Sequence, residues 1–326
     1  MSSTPSSAPK SSQSGVTIRA LREQDLPAAD RIMRLAFGTF LGLPDPLKFM
    51  GDADYVRTRW LADPSAAFAA ECAGELVGTN FATRWGSVGF FGPLTIHPDH
   101  WDRGIAQLLL APTMDFFDRW KVRHAGLFTF PASSKHIGLY QKFGFWPRFL
   151  TALMEQPVSS ERKSVEWTRF SEFSTDEKLS CLQACRELTS SIYDGLDVER
   201  EIRAVDEQRL GDTVLTWAGS KLAGLAVCHS GPGTEAGSGK CYVKFGAVRC
   251  GPNAPREFRR LLQACHEFAA KRAATTLDAG VNVARLDAYR EMLQAGFRTT
   301  RQGVVMERNA ESGYNRPEVF LIDDWR

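Results

Sequence analysis

The chain has 326 residues, of which 43% are hydrophobic and 24% are charged. This length fits two domains better than one, and the composition is typical of a globular protein. The net charge of +2 argues against a dedicated nucleic-acid-binding protein, and no apolar run reaches the roughly 18 residues of a membrane span.

The N-terminal segment is rich in Ser and Pro and has no apolar core of the kind found in secretory signals. We therefore predict a disordered tail over residues 1–15 and a cytoplasmic protein. The seven cysteines are scattered without the paired spacing of a zinc site. This pattern indicates reduced thiols and no metal.

The first half begins with a strand, a helix, a loop, a second helix and a hairpin around Gly74-Glu75, as judged from apolar spacing and turn residues. The predicted ranges are 16–21, 22–37, 40–52, 54–61, and 67–73 paired with 76–84. The two helices would form a flap over one edge of the sheet.

A third strand is predicted over residues 88–96, but Gly92-Pro93 interrupts it. Proline cannot donate a hydrogen bond to a sheet, so the strand must bulge or end there. Such a break would separate this strand from its neighbour and open a gap for a thin ligand. A helix over 103–122, a strand over 126–130, a helix over 133–143 and a strand over 144–153 follow.

The segment that joins the broken strand to the next helix has features of a phosphate site. Gly104 and Ala106 are small, so a ligand can approach the backbone, and N–H groups at a helix N-terminus attract anions. Arg103 adds a cation that can pair with a phosphate. Short glycine motifs also occur in ordinary turns, so the residues alone leave both interpretations open.

The second half repeats the first in outline. Residues 72–78 have a counterpart at 217–224, and Gly144-Phe145 has one at Gly296-Phe297. We infer a tandem duplication, with a boundary over residues 156–162. The predicted fold is α/β, with two domains that each hold a mostly antiparallel mixed sheet flanked by helices.

Residues 101–106 read Trp-Asp-Arg-Gly-Ile-Ala. With this loop the first half resembles the GCN5-related N-acetyltransferase (GNAT) family, whose loop is Gln/Arg-x-x-Gly-x-Gly/Ala, so Trp101 stands in first position. Ile96-His97-Pro98 and Leu139-Tyr140-Gln141-Lys142-Phe143-Gly144-Phe145 also resemble the family. The resemblance covers residues 16–155 well and the second half only in outline, which implies a catalytic domain over 16–157 and a degenerate domain over 163–326.

This resemblance implies acetyl-CoA as cosubstrate and an amine as acceptor. The loop would hold the pyrophosphate, the broken strand would hold the pantetheine arm, and Ser133 would offer its hydroxyl where the family often has Asn. The implied coenzyme-binding residues are Leu94, Thr95, Ile96, Trp101, Asp102, Arg103, Gly104, Ile105, Ala106, Gln107 and Ser133. The catalytic groups would be Tyr140 as general acid and a backbone N–H near Leu94 that stabilises the oxyanion.

The general base is not identified by the sequence. Residues 77–94 contain no Asp or Glu, and Glu75 lies in a turn. His97 is expected to cap a turn, while His100 and His136 are expected to be solvated near the coenzyme. A water chain or a carboxylate from the second half are equally open alternatives.

Five aromatic residues surround the central strands: Trp85, Phe90, Phe91, Trp146 and Phe149. Core packing is the expected role. The alternative is an apolar acceptor pocket, partly closed by Phe37, Phe40 and Leu41 of the flap.

The second half has lost the expected site. Its counterpart loop, residues 249–255, contains two prolines that cannot donate, and Met292 stands at the position that matches Tyr140. Asn282 and Tyr289 are nearby but out of register. We therefore expect one working site in each chain.

The predicted activity is acetylation of a primary amine, of a small molecule rather than a protein, by a monomer or homodimer without nucleic-acid or membrane partners. The alternative is a non-catalytic sensor or scaffold that binds coenzyme A, which the missing carboxylate base favours. Another acyl donor, such as propionyl-CoA, is a third possibility.

Overall fold

A computed structural model describes residues 15–159 and 165–326, and its elements follow one order twice. The first half contains β1 (Val16–Ala20), α1 (Leu26–Phe40), α2 (Val56–Ala62), β2 (Ala67–Cys72), β3 (Glu75–Trp85), β4 (Val88–Phe91), β5 (Thr95–Ile96), α3 (Ile105–Arg119), β6 (His124–Thr129), α4 (Ser134–Gln141) and β7 (Phe145–Pro157). The second half contains β8 (Thr168–Arg169), α5 (Thr175–Ile192), α6 (Glu199–Gln208), β9 (Gly211–Ala218), β10 (Lys221–Gly231), β11 (Gly237–Val248), α7 (Ala254–Lys271), β12 (Thr276–Asn282), α8 (Leu286–Gln294), β13 (Arg298–Arg308) and β14 (Leu321–Ile322).

Two predicted segments fall partly or wholly outside the described residues. The tail over residues 1–15 does so except for Gly15, and the boundary over 156–162 does so from residue 160 onward. Within the described ranges, no helix has the length and apolar character needed to cross a membrane.

The described strands form one continuous sheet, in the order β1-β2-β3-β4-β6-β13-β7-β12-β11-β10-β9-β8. The pairs β4–β6 and β11–β12 are parallel, whereas the other pairs along this path are antiparallel. The mostly antiparallel mixed sheet with flanking helices is therefore confirmed. The hairpins β2–β3 and β9–β10 occupy equivalent places in the two halves.

The two halves exchange their last long strands. β7 of the first half pairs with β12 along residues 151–157, and β13 of the second half pairs with β6 through residues 304–307. β7 and β13 also pair with each other. The predicted domains 16–157 and 163–326 thus share one sheet. The boundary between the two domains stays a prediction.

Two helices that border the site begin later than predicted. A 3₁₀ turn over Glu23–Asp25 precedes α1, which starts at Leu26 and continues to Phe40. α3 starts at Ile105, because Gly104 has a φ of +76° and cannot continue the helix backwards. The helices α5 and α6 had no sequence prediction, although they stand where α1 and α2 stand in the first half.

Glu307 is a fully buried carboxyl on the exchanged strand β13. Its Oε1 accepts a hydrogen bond from Asn315 at 2.6 Å, and the Arg148 Nε lies 3.6 Å from Oε2. Burial outweighs these contacts and raises the pKa of Glu307 from 4.5 to about 7. The protonated form is therefore the favoured form inside the sheet up to about pH 7.

Replacing Glu307 with Gln is expected to stabilise the protein more at pH 8 than at pH 5. The folded state keeps this proton up to about pH 7, whereas the unfolded chain loses it near pH 4.5, so the stability that the proton confers falls as the pH rises through 7. The extra gain at pH 8 should be about 2 kcal/mol. Urea unfolding of both proteins at the two pH values measures it, and an equal gain at both would contradict the assignment.

Candidate active site

A cleft of about 850 Å³ opens where β4 and β6 part. The two strands pair only through residues 88–90 and 124–126, since β4 ends at Phe91 while β6 continues to Thr129. Gly92 and Pro93 follow β4, and the chain resumes as β5, which pairs with β3. The predicted break and gap are both present.

The predicted site residues come together on this cleft. Those that line it are Leu94, Thr95, Ile96, Trp101, Asp102, Arg103, Gly104, Ile105, Ala106, Gln107 and Tyr140. Ser133 is the exception: its hydroxyl accepts from the His136 N–H and caps α4, and the neighbouring Ser134 lines the cleft instead. A Ser at a helix N-cap directs its hydroxyl to the N–H groups of its own helix. The family's Asn at this position therefore gave the wrong expectation for Ser133.

The loop before α3 presents its N–H groups to one end of the cleft. The Trp101 indole donates to the Ile96 carbonyl at 2.8 Å, which ties the loop to β5. In the described part of the chain, no backbone carbonyl accepts from the N–H groups of Gly104, Ile105 or Ala106. Gln107 differs from the prediction, because its N–H already donates to the Gly104 carbonyl at 3.0 Å. Three open N–H groups at a helix N-terminus form an anion site.

The side chains at this end add positive charge. Arg103 is exposed and has no ion-pair partner among the described residues. Asp102, also exposed, is paired with Lys135 of α4 at 2.5 Å. The acidic group is therefore neutralised by a neighbour, and the loop retains the Arg103 charge. His97 caps the turn after β5 by accepting from the Asp99 N–H, as predicted.

β5 lies in the wall of the cleft and is held there by β3. It pairs with Gly78 and Thr79 of β3, and the Thr95 and Thr79 hydroxyls lie 3.0 Å apart on the buried side. A Cβ at Gly78 would lie 2.6 Å from the Ile96 side chain, so only glycine allows this close approach. Leu94 lies between β4 and β5, outside both strands.

Tyr140 lies on α4 in the wall of the cleft and is 8% exposed. Its ring packs 5.8 Å from the Phe91 ring. Burial raises the pKa of Tyr140 to about 12, against a smaller opposing effect of a hydrogen bond with Thr129. The phenol is therefore protonated at every physiological pH and can donate a hydrogen bond to a ligand.

The other end of the cleft is apolar. α1 and the segment after it supply Met33, Ala36, Phe37, Phe40, Leu41, Phe49, Met50 and Tyr55. β6 supplies Phe128, the residue after β6 is Phe130, and β7 supplies Leu153. The predicted flap residues are thus in place, whereas sequence reasoning missed Tyr55 and Phe49, which lie in a segment predicted only as a loop and the start of a short helix.

The five predicted aromatic residues divide between roles. Trp85 and Phe90 pack in the core, with rings 4.7 Å apart, which agrees with the prediction. Phe91 is buried and also lines the cleft. Trp146 is 47% exposed, so core packing was wrong for this residue, whereas Phe149 is half-buried.

His136 also departs from the prediction that it is solvated. Its ring lies 4.9 Å from the Phe40 ring, and burial lowers its pKa. It lines the cleft one helical turn before Tyr140. The imidazole is therefore neutral near pH 7 and lies among aromatic side chains.

The second half contributes to the same cleft through Arg301 and Gln302 of β13 and through Trp325 and Arg326. Among the described residues that line the cleft, Asp102 is the only carboxylic acid. No side-chain carboxylate of the described second half lines the cleft, so the alternative of a side-chain base from the second half is wrong. The charged side chains that this half supplies are those of Arg301 and Arg326.

A buried ion pair fixes the flap against the break. Arg59 of α2 donates to both carboxylate oxygens of Glu235 in the second half, at 3.0 and 3.1 Å. The same guanidinium donates to the Gly92 carbonyl at 2.7 Å. α2 and the broken strand are thus positioned by a residue of the other half.

The corresponding gap of the second half is filled by its own chain. β11 pairs with β12 only through residues 240–243, and beyond that point β14 pairs with β11 at residues 246–247. Met292 is fully buried on α8. In the part of the chain that the structure describes, no cluster of three or more His, Cys, Asp or Glu could hold a metal ion.

Comparison with known proteins gives three kinds of result. Residues 31–145 match the model of the acetyltransferase (GNAT) family. A putative acetyltransferase from Pyrococcus horikoshii superposes with a TM-score of 0.68 at 16% identity, covering 96% of this chain and 95% of that one. No protein of curated function matches the sequence.

Two further solved structures share the fold. A GCN5-related N-acetyltransferase from Sphaerobacter thermophilus gives a TM-score of 0.57 at 15% identity, over 91% of this chain and 96% of that one. A GCN5-related glucosamine N-acetyltransferase region of a fungal multi-domain GH3 beta-N-acetylglucosaminidase gives 0.61 at 10% identity, over 90% of this chain and 38% of that one. At such identities the similarity concerns the fold alone.

Proposed function

Because residues 31–145 match the model of the acetyltransferase (GNAT) family, we propose that the open cleft of this chain binds acetyl-CoA and transfers the acetyl group to the primary amine of a small molecule. One observation supports the proposal above others. Open N–H groups at Gly104, Ile105 and Ala106 and the buried, protonated Tyr140 line the same cleft. This arrangement separates an anion-binding end from a proton donor.

The proposed chemistry is direct attack of the neutral amine on the thioester carbonyl. A C–N bond forms, the carbonyl oxygen becomes an oxyanion near the backbone N–H of Leu94, and the C–S bond then breaks. The Tyr140 hydroxyl donates to the sulfur as negative charge develops there. Because the pKa of Tyr140 is about 12 and that of a thiol about 8.5, the hydroxyl acts mainly as a hydrogen-bond donor, and the thiol's final proton is the one the amine releases.

The proton that the amine releases needs a carrier other than Tyr140 on its way to the thiolate. No side-chain carboxylate other than that of Asp102 lines the described cleft, and Asp102 is engaged by Lys135. The proposal therefore gives this step to water or to the neutral imidazole of His136, whose pKa is lowered by burial. The same lack of a carboxylate base favours the alternative function, a coenzyme A sensor without catalysis.

A thiol-release assay separates the two functions. The purified protein is incubated with acetyl-CoA and a panel of small primary amines, and free thiol is followed with time. Amine-dependent release supports the enzyme, whereas coenzyme A binding without release would identify a sensor. Titration calorimetry should give one coenzyme A per chain, because β14 fills the second gap, and two would contradict a single site.

A further inference from the structure

The acceptor end of the cleft is poorly suited to a polycation. Its walls are built from apolar and aromatic side chains of α1, β6 and β7. The only acidic residue among the described cleft residues, Asp102, lies at the loop before α3 and is paired with Lys135. An acceptor with several positive charges would be desolvated there without an acidic side chain to pair with, which is unfavourable.

Arg301 gives this end a free positive charge. It lies on β13, opposite Leu153, directly after an irregularity in the strand pairing. Arg301 lines the cleft and is exposed. Its guanidinium has no hydrogen-bond or ion-pair partner within residues 15–159 and 165–326. Arg326, which also lines the cleft, is by contrast held by Asp324 at 2.9 Å. A free guanidinium next to an apolar wall can bind a carboxylate through two parallel hydrogen bonds.

Tyr55 adds an independent observation on the flap side. It lines the cleft and is 5% exposed, yet its hydroxyl has no hydrogen-bond partner in the described structure. Burial raises the pKa of Tyr55, so the hydroxyl is a donor at neutral pH. Buried polar groups are nearly always hydrogen-bonded, and an unpaired one in a cleft wall indicates a ligand that supplies an acceptor atom.

We propose that the acceptor is an amine with an apolar body of aromatic size and a carboxylate, that Arg301 pairs with the carboxylate, and that the Tyr55 hydroxyl donates to an oxygen of the same molecule. This inference rests on the proposed function, since the amine of such a molecule would be the group acetylated. Arg301 then acts as a specificity residue that the second half supplies to the first.

The test compares matched amines that differ in a carboxylate. The pairs are 4-(aminomethyl)benzoate with benzylamine and L-phenylalanine with 2-phenylethylamine, and spermidine represents polycations. Binding to the full chain saturated with coenzyme A is measured by calorimetry. At least one of the carboxylated amines should bind about 10-fold more tightly than the matched amine without a carboxylate, and about 10-fold more tightly than spermidine. Arg301→Gln should remove this preference.

Arg57→Gln is the matched control, because Arg57 is exposed on α2 and does not line the cleft. It should keep the full preference. Tyr55→Phe should weaken binding of the carboxylated probe several-fold without lowering thermal stability, since it removes a buried hydroxyl that has no protein partner.

Two outcomes would overturn the inference: equal binding within each pair, including no binding at all, or a preference that survives Arg301→Gln. Failure of the proposed function is recognised separately. In that case the binding preference is present but acetyl-CoA releases no thiol with any bound amine.

Discussion

Replacing Tyr140 with Phe is expected to lower kcat for acetyl transfer by roughly 10²- to 10³-fold, the range for loss of one positioned hydrogen-bond donor to a developing negative charge. The KM for acetyl-CoA should change little, because the phosphate end of the cleft lies on α3 and its loop rather than on α4. The ring that packs against Phe91 is retained, so the variant should stay folded. Steady-state kinetics with acetyl-CoA varied at saturating amine would show this split.

Tyr289→Phe is the matched control. Tyr289 lies on α8, the counterpart of α4, and its hydroxyl is 3.3 Å from that of Thr299. Since β14 fills the gap of the second half, removal of the Tyr289 hydroxyl should leave kcat unchanged. A Tyr140→Phe enzyme that keeps a third or more of the wild-type kcat would exclude a catalytic hydrogen bond from Tyr140 to the leaving sulfur.

The pH profile gives a second readout for Tyr140. Burial raises its pKa to about 12, so the protonated form is fully present below about pH 10 and declines only as the pH rises through 12. Between pH 8 and pH 10 the wild-type kcat should therefore not fall through ionisation of Tyr140. A basic limb near pH 9 that disappears in Tyr140→Phe would contradict the raised pKa.

A negative charge at Gly104 should weaken acetyl-CoA binding strongly. Gly104 precedes α3 with a φ of +76°, and Asn and Asp are the side chains that best tolerate this region. Gly104→Asp places a carboxylate beside the open N–H groups of Ile105 and Ala106, where the proposal places the pyrophosphate. The KM for acetyl-CoA should rise by roughly 10- to 100-fold, from like-charge repulsion of about 1.4 to 2.8 kcal/mol.

Gly104→Asn separates charge from backbone strain, because Asn has nearly the same shape and no charge. Its KM should rise only a few-fold. Added salt should narrow the difference between the two variants, since the repulsion is partly screened. Equal KM values for Asp and Asn would place the phosphates elsewhere.

Local features of the site could be predicted from the sequence. The Gly92-Pro93 break, the small residues of the loop and Tyr140 each depend on a few neighbouring residues and on rules of backbone chemistry. They all lie on one cleft. Ser133 and Gln107 were placed less well, because each forms a hydrogen bond within its own turn that competes with a ligand.

Features that depend on distant residues could not be predicted. The alternation along β7 and β13 is the same whichever strand lies beside them, so the exchange between halves leaves no local signal. Arg301 and Tyr55 became visible as cleft residues only once that exchange and the course of the flap were known. For the second half, the sequence predicted only that the loop motif and the tyrosine are missing. That β14 fills the corresponding gap could not be predicted.

The exchange of β13 also sets a time order for the synthesis of a working protein. The ribosome makes Gln302 roughly 145 residues after Pro157, which at roughly 5 to 20 residues per second takes on the order of ten seconds. During that interval the edge of β6 that later pairs with β13 has no partner strand, and unpaired edges promote aggregation. A nascent chain of this protein therefore carries its coenzyme loop and Tyr140 well before it acquires the strand that completes their cleft.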